Sequence, residues 1–121
     1  MEYLNSTPEK IAKFFYKKGA DNWPTIQRLI YLAYIQSLKQ KKMLFEEKFE
    51  PWEGNFMLIS LYEKSFNGIY PISPANVLKD TEEPTEPFIV NLLNNIYQNY
   101  DFYEDEERKF KLKNLTSATI F

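Results

Sequence analysis

The stretch "PTIQRLIYLAYIQSLKQK", residues 24–41, decides how the rest of the chain must be arranged. Ile26, Leu29, Ile30 and Ala33 recur at helical spacing, and Tyr31, Tyr34, Ile35 and Leu38 widen the apolar stripe past half the circumference. A surface helix needs a single apolar face. A helix apolar over this much of its girth is covered on several sides, so a buried central helix is predicted from near Pro24 to about Lys41. Polar residues return at "KQKK", where Lys39, Lys41 and Lys42 sit near the negative end of the helix dipole.

Upstream, "STPEK" at residues 6–10 opens a first helix. Thr7 is a good N-cap, Pro8 fits the first helical position because its missing N–H is not needed there, and Glu9 suits the positive end of the dipole. Ile11, Phe14 and Phe15 form one face, Lys17 and Lys18 load the last turn, and Gly19 supplies the residue after it. Downstream, "MLFEEKFEPWEG" at residues 43–54 is less periodic. Phe45, Glu47 and Phe49 alternate as a strand would, while Phe45 and Phe49 equally share a helix face, and Pro51 limits both readings. An extended segment forming one side of a small β-hairpin near residues 43–53 is preferred. Asn55 then reads as the cap of a third helix, "FMLISLYEKSF", closed by Gly68. Residues 69–87 hold four prolines and form a linker, with one turn of helix at "SPANVLKD" capped by Ser73. A fourth long helix, "EPFIVNLLNNIYQNY", carries Phe88, Ile89, Leu92, Leu93, Ile96 and Tyr100 as a clean stripe. The predicted class is mainly α: one compact domain over 1–121, of about four to five helices around the central one.

Composition narrows the chemistry. With 44% apolar and 26% charged residues the chain is globular in character. Cys and His are both absent, which removes disulfides, thiolate nucleophiles, zinc fingers and the usual neutral-pH proton shuttle. A net charge of −2 disfavours a dedicated nucleic-acid binder. The beginning "MEYLNSTPEK" has neither the basic start nor the apolar run of a signal peptide, and no stretch approaches the ~20 apolar residues of a membrane span. A cytosolic protein is expected, with no catalytic residue, no cofactor, no metal, and neither nucleic acid nor membrane as partner.

Three charged groupings carry residue types suited to chemistry. Asp101, Glu104, Asp105, Glu106 and Glu107 have the residue type for magnesium or calcium but not the spacing or central Gly of an EF-hand loop, so they read as a solvated loop or helix start. Glu46, Glu47, Glu50 and Glu53 flank aromatics and read as a charged rim, since nothing in the sequence buries them for acid–base work. "KQKK" is explained by the helix dipole. Aromatics make up 17% of the chain, and a helical stripe cannot bury all of Tyr97, Tyr100, Phe102 and Tyr103. Exposed Tyr and Phe are the raw material of protein–protein hot spots, although surplus aromatics also pack under loops.

In order along the chain, "IAKFFYKKG", "TIQRLIYLAYIQSL", "MLFEEKFEPWEGNFMLISLYEKSF", "LLNNIYQNY" and "LKNLTSATIF" resemble the Panacea domain, the family of SocA-like antitoxins and phage-associated GepA-type proteins. The family's L-Q-K-L-L-Y-Y-A-Q falls on Ile26–Tyr34, its P-L-F-x-E-x-F-x-A-W on Leu44, Phe45, Glu47, Phe49 and Trp52, and its L-Y-x-x-F on Leu61, Tyr62 and Phe66. Its Gly-Pro-Val is here Gly54, Asn55 and Phe56, and its closing Leu-Thr-His is Leu115, Thr116 and Ser117. The resemblance implies a helical antitoxin that neutralises a co-encoded toxin by direct binding; one relative acts as an adapter delivering its toxin to a cytosolic protease. The expected contact surface is Trp52, Gly54, Phe56 and Tyr62, together with Tyr97, Tyr100, Phe102 and Tyr103. The second reading is a phage or mobile-element protein of the same fold that binds a host protein. The third is a carboxylate- or metal-dependent enzyme.

Overall fold

A computed structural model describes residues 1–52 and 55–113, with side chains described as far as Glu107. Gly54 and the closing segment Leu115–Ser117, both singled out in the sequence, lie outside the described residues. Three long helices make the frame: α1 (Pro8–Lys18), α2 (Trp23–Lys39) and α5 (Pro87–Gln98). Between and around them lie β1 (Glu2–Tyr3), β2 (Lys42–Met43), β3 (Glu50–Trp52), β4 (Asn55–Met57), α3 (Ile59–Lys64), α4 (Pro74–Val77) and α6 (Tyr100–Lys113).

Local sequence explains the frame. Thr7 accepts a hydrogen bond from the Lys10 N–H with Pro8 at the first position, and Asn22 does the same for Thr25 at the start of α2. Gly19 ends α1 at φ 129°, a left-handed conformation that side chains resist, and a Cβ there would stand 2.9 Å from the Tyr97 hydroxyl. Ile11 and Phe15 of α1, Ile26, Ile30 and Ala33 of α2, and Ile89, Leu93 and Ile96 of α5 are all fully buried against one another. The mainly helical class and the central position of α2 are as the sequence predicts, since α2 packs on α1, α5, α6, β2 and β4.

The middle of the chain departs from expectation. The hairpin is antiparallel, but it pairs β3 with β4 across residues 50–57 rather than 43–53, with Pro51 opposite Phe56. β2 instead pairs in parallel with β1 at the chain's beginning. Residues 44–49 are neither strand nor helix, yet Leu44, Phe45 and Phe49 are buried. Aromatic packing holds them. Tyr34 meets Phe45 and Phe49 at 5.2 Å each, while Tyr31 meets Phe49 edge-on at 5.3 Å and lies parallel to Phe56 at 5.2 Å.

Asn55 does not cap α3; it begins β4, and the helix starts at Ile59 and ends at Lys64, short of Gly68. The residue before α3 is Leu58, which has no capping side chain, so the first-turn donors are met from elsewhere. Glu47 accepts both the Ser60 N–H (3.2 Å) and the Ser60 hydroxyl (2.6 Å). This carboxylate, expected only at a charged rim, is a cap supplied from another segment. The predicted turn at Ser73–Pro74 is present as α4, with Ser73 accepting from the Asn76 N–H.

Candidate functional site

The first turns of α2 are not wholly core. Trp23 donates its indole N–H to the Ile72 carbonyl at 2.7 Å, which ties the linker to α2. Gln27, buried among apolar neighbours, uses its whole amide on one residue. Its Nε2 donates to the Leu58 carbonyl and its Oε1 accepts from the Leu58 N–H, each at 3.0 Å. That pair fixes the junction of β4 and α3 against α2. One residue on, Arg28 reaches α6. Its Nε and Nη2 donate to the two oxygens of Glu104 at 2.6 and 2.5 Å, and Nη2 also donates to Glu107 at 2.7 Å. The guanidinium lies over the Tyr31 ring, 5.3 Å from its centre.

These anchors surround a cavity of about 590 Å³. Trp23, Pro24, Phe56, Met57 and Tyr62 give it apolar walls, and Arg28, Glu104, Glu107 and Asn55 give it a polar side. The size falls in the range of small-molecule and side-chain sites, about 300–1,000 Å³. The hydrogen bonds it donates to Glu104 hold the Arg28 guanidinium firmly in its charged form, raising it above its ordinary value by more than burial lowers it. Burial, with the charge of Glu107 behind it, raises the Tyr31 phenol. Burial and then its hydrogen bond to Glu104 push the Tyr100 phenol up to about 12.

The expected contact residues separate into two groups. Phe56 and Tyr62 line the cavity; Trp52 is not in the lining, but its ring stands 5.5 Å from that of Tyr62, and this pair, 44% and 40% exposed, forms the aromatic edge we call the mouth. Tyr100 donates to Glu104 and, with Phe102, Asp101 and Asp105, lines an adjoining shallow depression that shares Glu104 with the cavity. Phe102 is 62% exposed and packs edge-on against Tyr103. Tyr97 belongs to neither group. It is half-buried, stacks near Phe15 and donates its hydroxyl to the Lys18 carbonyl, where it closes the end of α1.

The acidic run is a helix start, but it is not simply solvated: Glu107 is 5% exposed and Glu104 is half-buried. Charge on α2 explains this, because Arg28 takes Glu104 and Glu107, and Gln36 and Lys39 take Glu106. Among the described residues no group of three or more carboxylates is placed to hold a metal ion, and no helix is long and apolar enough to cross a membrane. Sequence reasoning passed over Trp23, Gln27 and Arg28. The available signal was Arg28 itself, one of two Arg among 15 basic residues. In a chain that otherwise uses Lys, an Arg marks a place where a planar fork is needed.

The chain matches no protein-family model, no curated protein and no solved structure. The family resemblance therefore rests on the order of motifs in the sequence.

Proposed function

We propose that this chain is a non-enzymatic protein-binding domain that acts as an antitoxin, neutralising a co-encoded toxin by direct contact through the face formed by Trp52, Phe56 and Tyr62. The observation that carries the reading is the Trp52–Tyr62 pair, two large aromatics left substantially exposed side by side at the mouth of a cavity. Rigid aromatics of this kind bury much area at little entropic cost, and they dominate protein–protein contacts when a partner covers them. The carboxylates beside them favour recognition over catalysis: Glu104 accepts from two Arg28 nitrogens and from the Tyr100 hydroxyl, an arrangement that holds α6 on α2 and leaves the carboxylate's charge on the cavity wall. The antitoxin role comes from the motif order resembling the Panacea domain, and delivery of the toxin to a cytosolic protease would be a further consequence of the same contact.

Co-expression with the product of the adjacent gene tests this. The chain should rescue growth and co-purify with that product. The double change Trp52→Ala and Tyr62→Ala should abolish both effects and leave the melting temperature within a few degrees, since exposed side chains contribute little to the fold. Absence of any complex with the neighbouring product would overturn the antitoxin role.

A further inference from the structure

Two carboxylates and one guanidinium line the cavity, so among the described lining residues the balance is one negative charge in excess. The opposite walls are aromatic and apolar. Two of the neutral donors on the lining are already placed on backbone oxygens, the Trp23 indole N–H on Ile72 and the Gln27 amide on Leu58, and the Arg28 guanidinium is turned onto Glu104 and Glu107. An anionic occupant would face Glu104 and Glu107. A purely apolar one would strip water from the Arg28 cluster and return nothing to it. The group that satisfies both sides is an apolar stem with a cationic tip, its stem along Phe56, Met57 and Tyr62 and its charge toward the carboxylates. Aromatic faces add their own attraction for such a cation.

Resting on the protein-binding reading above, we infer that the cavity is the anchor pocket for a basic side chain of the partner, an Arg or Lys on a segment that crosses the Trp52–Tyr62 mouth. At about 590 Å³ the cavity exceeds the needs of one side chain, so residues flanking the basic one enter with it. The aromatic mouth supplies contact area, and the acidic side selects the sign of the charge.

The test uses blocked pentapeptides, Gly-Gly-Xaa-Gly-Gly, with Arg, Leu or Glu at the centre, titrated into the whole protein and followed by NMR. The chain's two tryptophans make convenient reporters, Trp23 inside the cavity and Trp52 at its mouth. The Arg peptide should shift both indole N–H signals with a Kd on the order of 1 mM, at least tenfold tighter than the Leu peptide, and more weakly as salt rises. The Glu peptide should leave them unmoved. Asn55→Lys places an ammonium group at the exposed first position of β4, on the cavity lining, and should weaken the Arg peptide fivefold or more without changing the melting temperature; Asn55→Gln should not. Equal binding of the Leu and Arg peptides overturns the inference, as does a silent Trp23 signal at 20-fold that concentration, or indifference to Asn55→Lys. Methylguanidinium binding as tightly as the peptide would make this a small-cation site and end the partner-segment proposal. The neighbouring-gene product separates the two readings. A complex lost with the Trp52/Tyr62 double change but unaffected by Asn55→Lys sinks this inference alone. No complex at all, with the Arg peptide still moving Trp23, sinks the antitoxin role and upholds the pocket's preference.

Discussion

Gln27 sits in a stripe where Ile26, Leu29 and Ile30 are all buried, and a polar amide survives there because Leu58 offers it both a donor and an acceptor. Removing the amide leaves the two backbone groups of Leu58 buried without their partner, at about 1–3 kcal/mol for each group. Gln27→Leu should therefore lower the unfolding free energy by about 2–4 kcal/mol in a denaturant titration, although it is more apolar and of similar length. A loss below about 0.5 kcal/mol would mean that water or backbone rearrangement satisfies Leu58. Arg28, the next residue, does the opposite work by pointing off the core to a helix 76 residues away in sequence. Neither partner was legible from the residue alone, because it is the fold that delivers Leu58 to Gln27 and α6 to Arg28.

At the scale of elements, legibility follows the range of the forces. α1, α2, α5 and the short α4 could be read because caps, helix-opening prolines and the 3.6-residue period are local: Thr7, Asn22 and Ser73 cap α1, α2 and α4, and α5 opens on Pro87 without a side-chain cap. α3 was misread because its cap is Glu47, 13 residues earlier, while the nearer candidate Asn55 is used by the hairpin. α6 shows the same long-range control. Its mean hydropathy is low, and it is held on α2 by Arg28, Gln36 and Lys39. Arg28→Met, which leaves Glu107 beside an apolar chain, should cost about 3 kcal/mol. Arg28→Lys should cost about half of that, keeping the charge and losing the fork. Acid should loosen the same helix. The Lys39 hydrogen bond, with that of Gln36, holds the Glu106 carboxyl below its ordinary value of 4.5. A lowered carboxyl contributes stability that is present above the unfolded value and fades as pH falls through the folded one. The protection of the amides of residues 100–107, relative to their intrinsic exchange rates, should thus fall below about pH 4.5 before that of α1 or α5 does. Simultaneous loss of protection in all three helices would deny α6 its separate anchorage.

For the whole molecule, the aromatic layer on α2 ties stability to the face proposed for binding. Trp52, Phe56 and Tyr62 could be singled out from sequence, but the cavity could not, because it forms only when Arg28 meets Glu104 and Glu107 across 76 and 79 residues. Behind the cavity, Tyr31 packs on Phe49 and Phe56 and Tyr34 on Phe45 and Phe49, so the lining residue Phe56 rests on the buried Tyr31 ring. Burial raises the Tyr31 and Tyr34 phenols, and burial with Glu104 raises Tyr100 to about 12, all from an ordinary value of 10.0. A group whose folded value is raised contributes stability that is complete below the unfolded value and is lost as pH rises through the folded one. The fold should therefore persist to about pH 10 and fail as pH climbs towards 12. Tyr3 and Tyr70, at 56% and 68% exposure, stand outside the buried core of the fold. The buried phenols should ionise only together with its collapse, because a phenolate cannot be accommodated between stacked rings and the Glu107 carboxylate without opening the layer. Tyrosinate absorbance followed alongside far-ultraviolet circular dichroism reads both steps. Ionisation of all nine tyrosines in one step near pH 10, with the helical signal intact, would show that Tyr31 and Tyr34 are reached by water without unfolding, and the layer would then be no rigid support for a binding face.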